Sequence, residues 1–213
     1  MELSCNSKIP TPAVERLTTY LRCLYDFQIG DIETFSSADM ERATGINAAQ
    51  FRKDLSYFGE FGRPGVGYNV HDLQLCLARI LKVDSEQSVF LVGAGHLGSA
   101  LLGYSGLRHH KFNIVSVFDN NFNKIGRPLW NLEILDIKRL KEMNDIYNAK
   151  IAILALPAPA AQSVADQLVA VGIKVILNFA PTTVRVPKGA FVRNVCFVRE
   201  LTVLSFLLPP EVP

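Results

Sequence analysis

Apolar residues in the first part of the chain recur at helical spacing. Val14, Leu17, Leu21 and Leu24 would share a face, which predicts a helix over residues 11–27 that starts at Pro10 and Pro12. Ser36 or Ser37 would cap a short second helix running through Arg42 and Ala43, and Gly45 supplies the turn after it. Asn47 then stands at an N-cap position, with Gln50 at capping-box spacing. In the third helix Phe51, Leu55 and Phe58 fall on one face, and Asp54 lies toward that buried arc, where it could pair locally. Gln50, Arg52, Lys53, Ser56 and Tyr57 fall on the outward arc, and Gly59 would end the helix. Gly62, Pro64, Gly65 and Gly67 permit a tight hairpin with Arg63 near its tip, and Val66, Tyr68 and Val70 alternate along the return strand.

Helix, glycine turn, helix and wing in series predict a winged helix-turn-helix that reads DNA. The residues offered to phosphates and base edges are Gln50, Arg52, Lys53, Ser56, Tyr57, Arg63 and Gly65. A small helical domain with a merely solvated face is the competing reading.

Beyond a connecting helix over residues 72–81 and a polar break at 84–88, the pattern changes. Val89–Val92 is an uninterrupted apolar run of the buried parallel-strand type. Gly93-Ala94-Gly95-His96-Leu97-Gly98 follows at once and opens a helix, which is the context a dinucleotide-binding loop requires. His96 is read there as a contributor of backbone rather than as a proton carrier. A second strand over 114–118 ends at Asp119, where an acid would accept from the adenine ribose and favour NAD(H) over NADP(H). Asp119-Asn120-Asn121 also suits a plain turn.

Strands over 150–156 and 173–177 continue the β-α rhythm, with a helix through Val171 between them. Their carboxyl ends place Ala155, Leu156, Pro157, Asn178, Ala180 and Pro181 along the expected cofactor cleft, unless these are ordinary loops. Residues 195–208 form a helix apolar on nearly all sides. That demands burial on several sides, either in a homodimer or within one chain's core.

Charge adds little. Residues through Lys82 carry 9 Lys+Arg against 10 Asp+Glu, and the whole chain is only +2, so DNA binding must rest on placement. The 213 residues, 49% hydrophobic, suffice for one or two domains. Residues 1–8 do not resemble a signal peptide, no apolar run suits a membrane span, and the four cysteines lack metal spacing. A cytoplasmic protein with no metal and no membrane association is expected. The expected division is 1–82 for DNA binding, 83–193 for the Rossmann domain and 194–213 for the C-terminal dimer-exchange helix and tail.

Six motifs carry a resemblance over nearly the whole chain: I-P-T-P-A-V-E-R-L at 9–17, F-R-K-D-L-S-Y-F-G-E-F-G at 51–62, G-V-G-Y at 65–68, V-G-A-G-H-L-G at 92–98, K-I-G at 124–126 and I-L-N-F-A-P at 176–181. The chain resembles the Rex family of redox-sensing transcriptional repressors. The resemblance implies an α/β homodimer with an N-terminal winged helix, a C-terminal Rossmann domain and a domain-swapped last helix. It implies that NADH releases operator DNA and NAD+ permits binding. With the residues above, the implied cofactor set includes Tyr104, Asn120 and Lys124. The implied switch joins Arg16, Tyr104 and position 196. There the chain departs: it has Cys196 where the family has aspartate, and a neutral thiol does not replace a carboxylate as partner for Arg16. A weakened or altered NADH response is therefore expected. At the wing tip Arg63-Pro64 replaces two basic residues, which predicts weaker, less salt-dependent DNA binding. An NAD-dependent dehydrogenase is the enzymatic alternative, but almost all residues after Val83 are used by the Rossmann core and the four histidines show no catalytic pairing, so no enzyme activity is expected. A nucleotide-binding regulatory module without a DNA role is the other alternative.

Overall fold

The computed structural model describes residues 9–63 and 65–208. The chain divides into two compact units, Met1–Ser85 and Glu86–Pro213.

The first unit begins with helix α1, Thr11–Ile29, entered through Pro10. Its buried stripe is Ala13, Leu17, Tyr20, Leu21 and Leu24; Val14, expected inside, is exposed. Strand β1, Thr34–Phe35, leads to helix α2, Ser37–Thr44. Ser36 caps α2 in a full capping box with Asp39, and Gly45 ends it in the left-handed region at φ 72. Helix α3, Ala48–Ser56, is capped by Asn47, whose side chain accepts from the Ala49 N–H. Gln50 does not close a capping box, because its amide turns inward to Asp54 instead. The helix stops at Ser56, short of Gly59, and Tyr57 is its C-cap.

The wing is shorter than the alternation suggested. Arg63 and Gly67 bridge, and strand β2, Tyr68–Asn69, pairs antiparallel with β1. Val70 does not continue that strand. Asn69 accepts from the Asp72 N–H and so caps helix α4, Val70–Ile80, which begins with Val70. The core packs Phe51 edge-on against Tyr20 at 4.9 Å and against Tyr68 at 5.2 Å, tying α1, α3 and the wing together.

In the second unit β3 (Gln87–Val92), β4 (Phe112–Asp119), β5 (Pro128–Leu129), β6 (Leu132–Asp136), β7 (Ile151–Leu154), β8 (Val175–Asn178) and β9 (Phe191–Asn194) form one sheet in the order β5-β6-β4-β3-β7-β8-β9. All neighbours run parallel except β5 and β6. The helices are α5 (His96–Gly103), α6 (Ser105–His109), α7 (Leu140–Tyr147), α8 (Ala158–Ala170) and α9 (Phe197–Phe206). β3 explains why its run is apolar throughout: Phe90 and Val92 face one core, and Val89 and Leu91 the other. The chain crosses from β3 to β4 on one side and later to β7 on the other. The carboxyl end of β3 is therefore the switch point where such sheets bind nucleotides.

Helix α9 has no buried residue in the single chain, and Phe197, Leu201, Leu204 and Phe206 stand exposed along it. No described helix is long and apolar enough to cross a membrane. Among the described residues no group of His, Cys, Asp or Glu could hold a metal ion.

Candidate functional site

The first candidate surface is the outward arc of α3 with the wing. Arg52, Lys53, Ser56 and Tyr57 are exposed, as are Arg63 and Gly65. Arg52 Nη1 donates to Ser37 Oγ at 2.6 Å, which steadies it against the start of α2. A groove of about 760 Å³ runs between α3 and the wing, with Arg52, Ser56, Arg63 and Gly65 on its walls. Glu60 lies there too, an acid beside a surface otherwise suited to phosphates.

Beneath this surface lies a buried charge that sequence reasoning only glimpsed. Asp54 is fully buried. Its Oδ2 accepts from Arg16 Nε at 2.6 Å and Tyr20 OH at 2.9 Å, and its Oδ1 accepts from Arg16 Nη2 and Gln50 Nε2, both at 2.7 Å. Burial alone would raise this carboxyl, yet the hydrogen bonds from Arg16, Tyr20 and Gln50 outweigh it and hold it below the usual carboxylate range. Its hydrogen bond holds the Arg16 guanidinium still more firmly protonated, and burial followed by the same carboxylate pushes the Tyr20 phenol up. Arg16 Nε and Nη2 are both engaged by Asp54 within the first unit, which anchors α3 to α1.

The second site is the loop after β3. A Cβ on Gly93 would sit 2.2 Å from the Ala155 carbonyl oxygen, and one on Gly98 would sit 1.9 Å from the Gly93 carbonyl oxygen. The fold itself demands those two glycines. Gly95 differs, since a Cβ there meets nothing within 4 Å. Its open side lies at the start of α5, where free N–H groups and the helix dipole favour an anion, so the loop fits a dinucleotide pyrophosphate. His96 and Leu97 are exposed in the first turn of α5, and Ala94 is buried with its N–H donating to Asp119 Oδ2 at 3.0 Å.

Asp119 ends β4 and is nearly buried. Lys124 Nζ donates to the same Oδ2 at 3.0 Å, and the Asn121 N–H donates to Oδ1 at 2.9 Å. Burial would raise the carboxyl, but the bonds from Asn121, Ala94 and Lys124 outweigh it and keep it low. The acid thus shapes the glycine loop itself, and Lys124 serves it as counter-charge. Oδ1 carries one bond and keeps acceptor capacity for a ribose hydroxyl. Asn120 is exposed beside it.

The ends of the later strands divide. Ala155 and Leu156 are half-buried and Pro157 is exposed after β7, with the Ala155 carbonyl against Gly93. Pro181 is exposed, but Ala180 and Asn178 are buried. Asn178 has a structural task. Its amide nitrogen donates to the Thr182 carbonyl at 2.9 Å and to Asn194 Oδ1 at 2.8 Å, and its oxygen accepts from the Ala180 N–H at 3.0 Å. It ties the β8 loop to β9. The structure does not bring Tyr104 to the glycine loop: it caps the far end of α5, a helix of about 12 Å. Its ring covers Gly106 and is 62% exposed. Cys196, the N-cap of α9, is a free, exposed thiol.

The family model described as "CoA binding domain" matches residues 84–182, and one described as "Putative DNA-binding protein N-terminus" matches residues 8–56. The redox-sensing transcriptional repressor Rex of Carboxydothermus hydrogenoformans is 47% identical over 93% of this chain and 96% of its own length. Redox-sensing transcriptional repressor Rex 1 of Thermotoga maritima is 39% identical over 93% and 95%. Among solved structures, RSP in complex with β-NAD+ and operator DNA superposes with a TM-score of 0.90 at 33% identity, covering 95% of this chain and 93% of that one. RSP in complex with β-NADH gives 0.84 at 31% identity over 95% of both. At that identity and coverage, with a DNA-type helix and a nucleotide-type loop in one polypeptide, the chain belongs to the Rex family of redox-sensing transcriptional repressors.

Proposed function

We propose that this protein is a cytoplasmic repressor, not an enzyme. In this reading a homodimer binds operator DNA through α3 and the wing, and NADH releases it while NAD+ permits binding. The observation that carries the reading is the pairing, in one chain, of an exposed Arg52-Lys53 face on α3 with an open cradle at Gly95 that protein packing does not require. Arg52, Lys53 and Arg63 supply the phosphate contacts, while Gln50, Ser56 and Tyr57 are offered to base edges. The Gly95 loop and the start of α5 hold the pyrophosphate. Asp119, with acceptor capacity left on Oδ1, takes a ribose hydroxyl and repels a 2′-phosphate, which favours NAD(H).

NADH and NAD+ differ by a hydride and one positive charge at the nicotinamide. A ligand shifts a two-state dimer only by its affinity difference between the states, and moving it from 1:99 to 99:1 takes about 5.5 kcal/mol, here shared by two pockets. The exposed apolar α9 supplies the dimer contact. The switch is assigned to Arg16, Tyr104 and Cys196, of which Arg16 is held by Asp54 while Tyr104 and Cys196 are exposed.

Fluorescence polarisation of a labelled operator duplex, titrated separately with NADH and NAD+, tests the reading. NADH should displace the duplex at concentrations where NAD+ does not. Equal effects of the two cofactors would remove the redox-sensing role.

A further inference from the structure

The buried network under α3 also constrains what the helix can read. Asp54 is a carboxylate held below its usual range, so it only accepts hydrogen bonds. The group of Gln50 facing it at 2.7 Å must therefore be the amide nitrogen, which fixes the orientation of the amide. Asp54 cannot move to accommodate the reverse orientation, because Arg16 grips both of its oxygens and Tyr20 holds one of them.

One Gln50 Nε2 hydrogen is thus spent on Asp54. That leaves the Oε1 acceptor and a single N–H for anything outside. Gln50 is the third residue of α3, and the first residues of a recognition helix are those that meet base edges. Adenine presents an N6 donor beside an N7 acceptor, which matches an acceptor beside one donor. Guanine presents two acceptors, O6 and N7, so with one N–H left a bidentate contact would oppose one of them to Oε1.

We propose that Asp54 and Arg16 lock Gln50 into an adenine-reading orientation, making Gln50 a specificity-determining residue of the operator contact. The inference rests on the DNA-reading function given above, and the test separates the two.

Full-length wild-type protein and Gln50→Ala are each used to select duplexes from a randomised pool, without NADH. The wild type should enrich a two-fold symmetric motif. Gln50→Ala should enrich the same motif with one A·T pair per half-site relaxed. Placing 7-deazaadenine at that pair removes the N7 acceptor. Wild-type affinity should fall about fivefold or more, and Gln50→Ala affinity should not change. Uracil in place of the paired thymine should leave both proteins unaffected, because the contact is to adenine and not to the thymine methyl.

An unchanged motif in Gln50→Ala, a relaxed G·C pair, or indifference of the wild type to 7-deazaadenine would each overturn the inference while leaving DNA reading intact. A wild-type protein that enriches no motif would overturn the DNA reading and the inference together.

Discussion

Two buried aspartates, one in each unit, do opposite work. Asp54 is held by side chains: Arg16 and Tyr20 from α1 and Gln50 from α3. It joins positions 38 residues apart and is a cross-link of the fold. Asp119 is held mainly by main-chain N–H groups, those of Ala94 and Asn121, with Lys124 as the one charged partner. It shapes the glycine loop and keeps one oxygen only partly used. Both carboxyls lie below their ordinary range, yet the same shift means stability in one case and preorganisation in the other.

The largest expected effect follows from removing the cross-link. Asp54→Ala leaves the buried Tyr20 hydroxyl without its acceptor and frees the partly exposed Arg16, and should destabilise the first unit by about 2–3 kcal/mol. Urea melts should show this, with operator binding lost and NADH binding retained. A loss under about 1 kcal/mol would make the network ornamental. Gly95→Ala should act in the other direction. Nothing in the protein opposes a methyl there, so the melting temperature should hold while NADH affinity falls at least about tenfold, as measured by calorimetry. Unaltered NADH affinity would show that the pyrophosphate does not approach Gly95.

Asp119→Asn is expected to cost about 1–3 kcal/mol, because an amide has a single oxygen to accept with, its NH2 faces another donor, and Lys124 loses its counter-charge. It should also alter acid sensitivity. A carboxyl depressed in the folded state adds stability above its unfolded pKa, about 4, and loses it as pH falls through the folded value. Wild-type stability should therefore decline below about pH 4 through both aspartates, with no contribution to pH dependence near neutrality from either. Asp119→Asn should flatten that acid limb in urea midpoints taken down to low pH; an identical slope would show that Asp119 is not depressed. The smallest effect belongs to Lys53→Ala. It should weaken operator binding nearly evenly across sequences and reduce the slope of log K against log salt by about 1. A change of sequence preference instead would make Lys53 a base reader.

Legibility in the sequence followed the same division. The outward arc of α3 and the strand–glycine–helix order were readable because each is a local pattern. Partners brought together by packing were not. Asp54 could be placed toward the interior, but its ties to Arg16 and Tyr20 depend on how α1 lies across α3. The tie from Asn178 to Asn194 is not legible either, because Asn194 arrives only when β9 pairs with β8. β9 itself was missed, as were the β5–β6 hairpin and α7. β5 has two residues, and Phe191–Asn194 is mostly exposed and lacks an apolar run. Resemblance places Tyr104 with the cofactor, and only the run of α5 shows that it caps the far end of that helix.

The central claim is that the loop at Gly95 and the surface of α3 belong to one coupled molecule. Linkage gives it a strict test, because the factor by which NADH weakens operator binding must equal the factor by which operator weakens NADH binding. NADH affinity is measured by calorimetry on the full-length protein, free and then saturated with operator duplex, and compared with operator affinity with and without saturating NADH. Coupling between the two sites predicts two equal factors, each well above one. NADH binding indifferent to bound operator would contradict it.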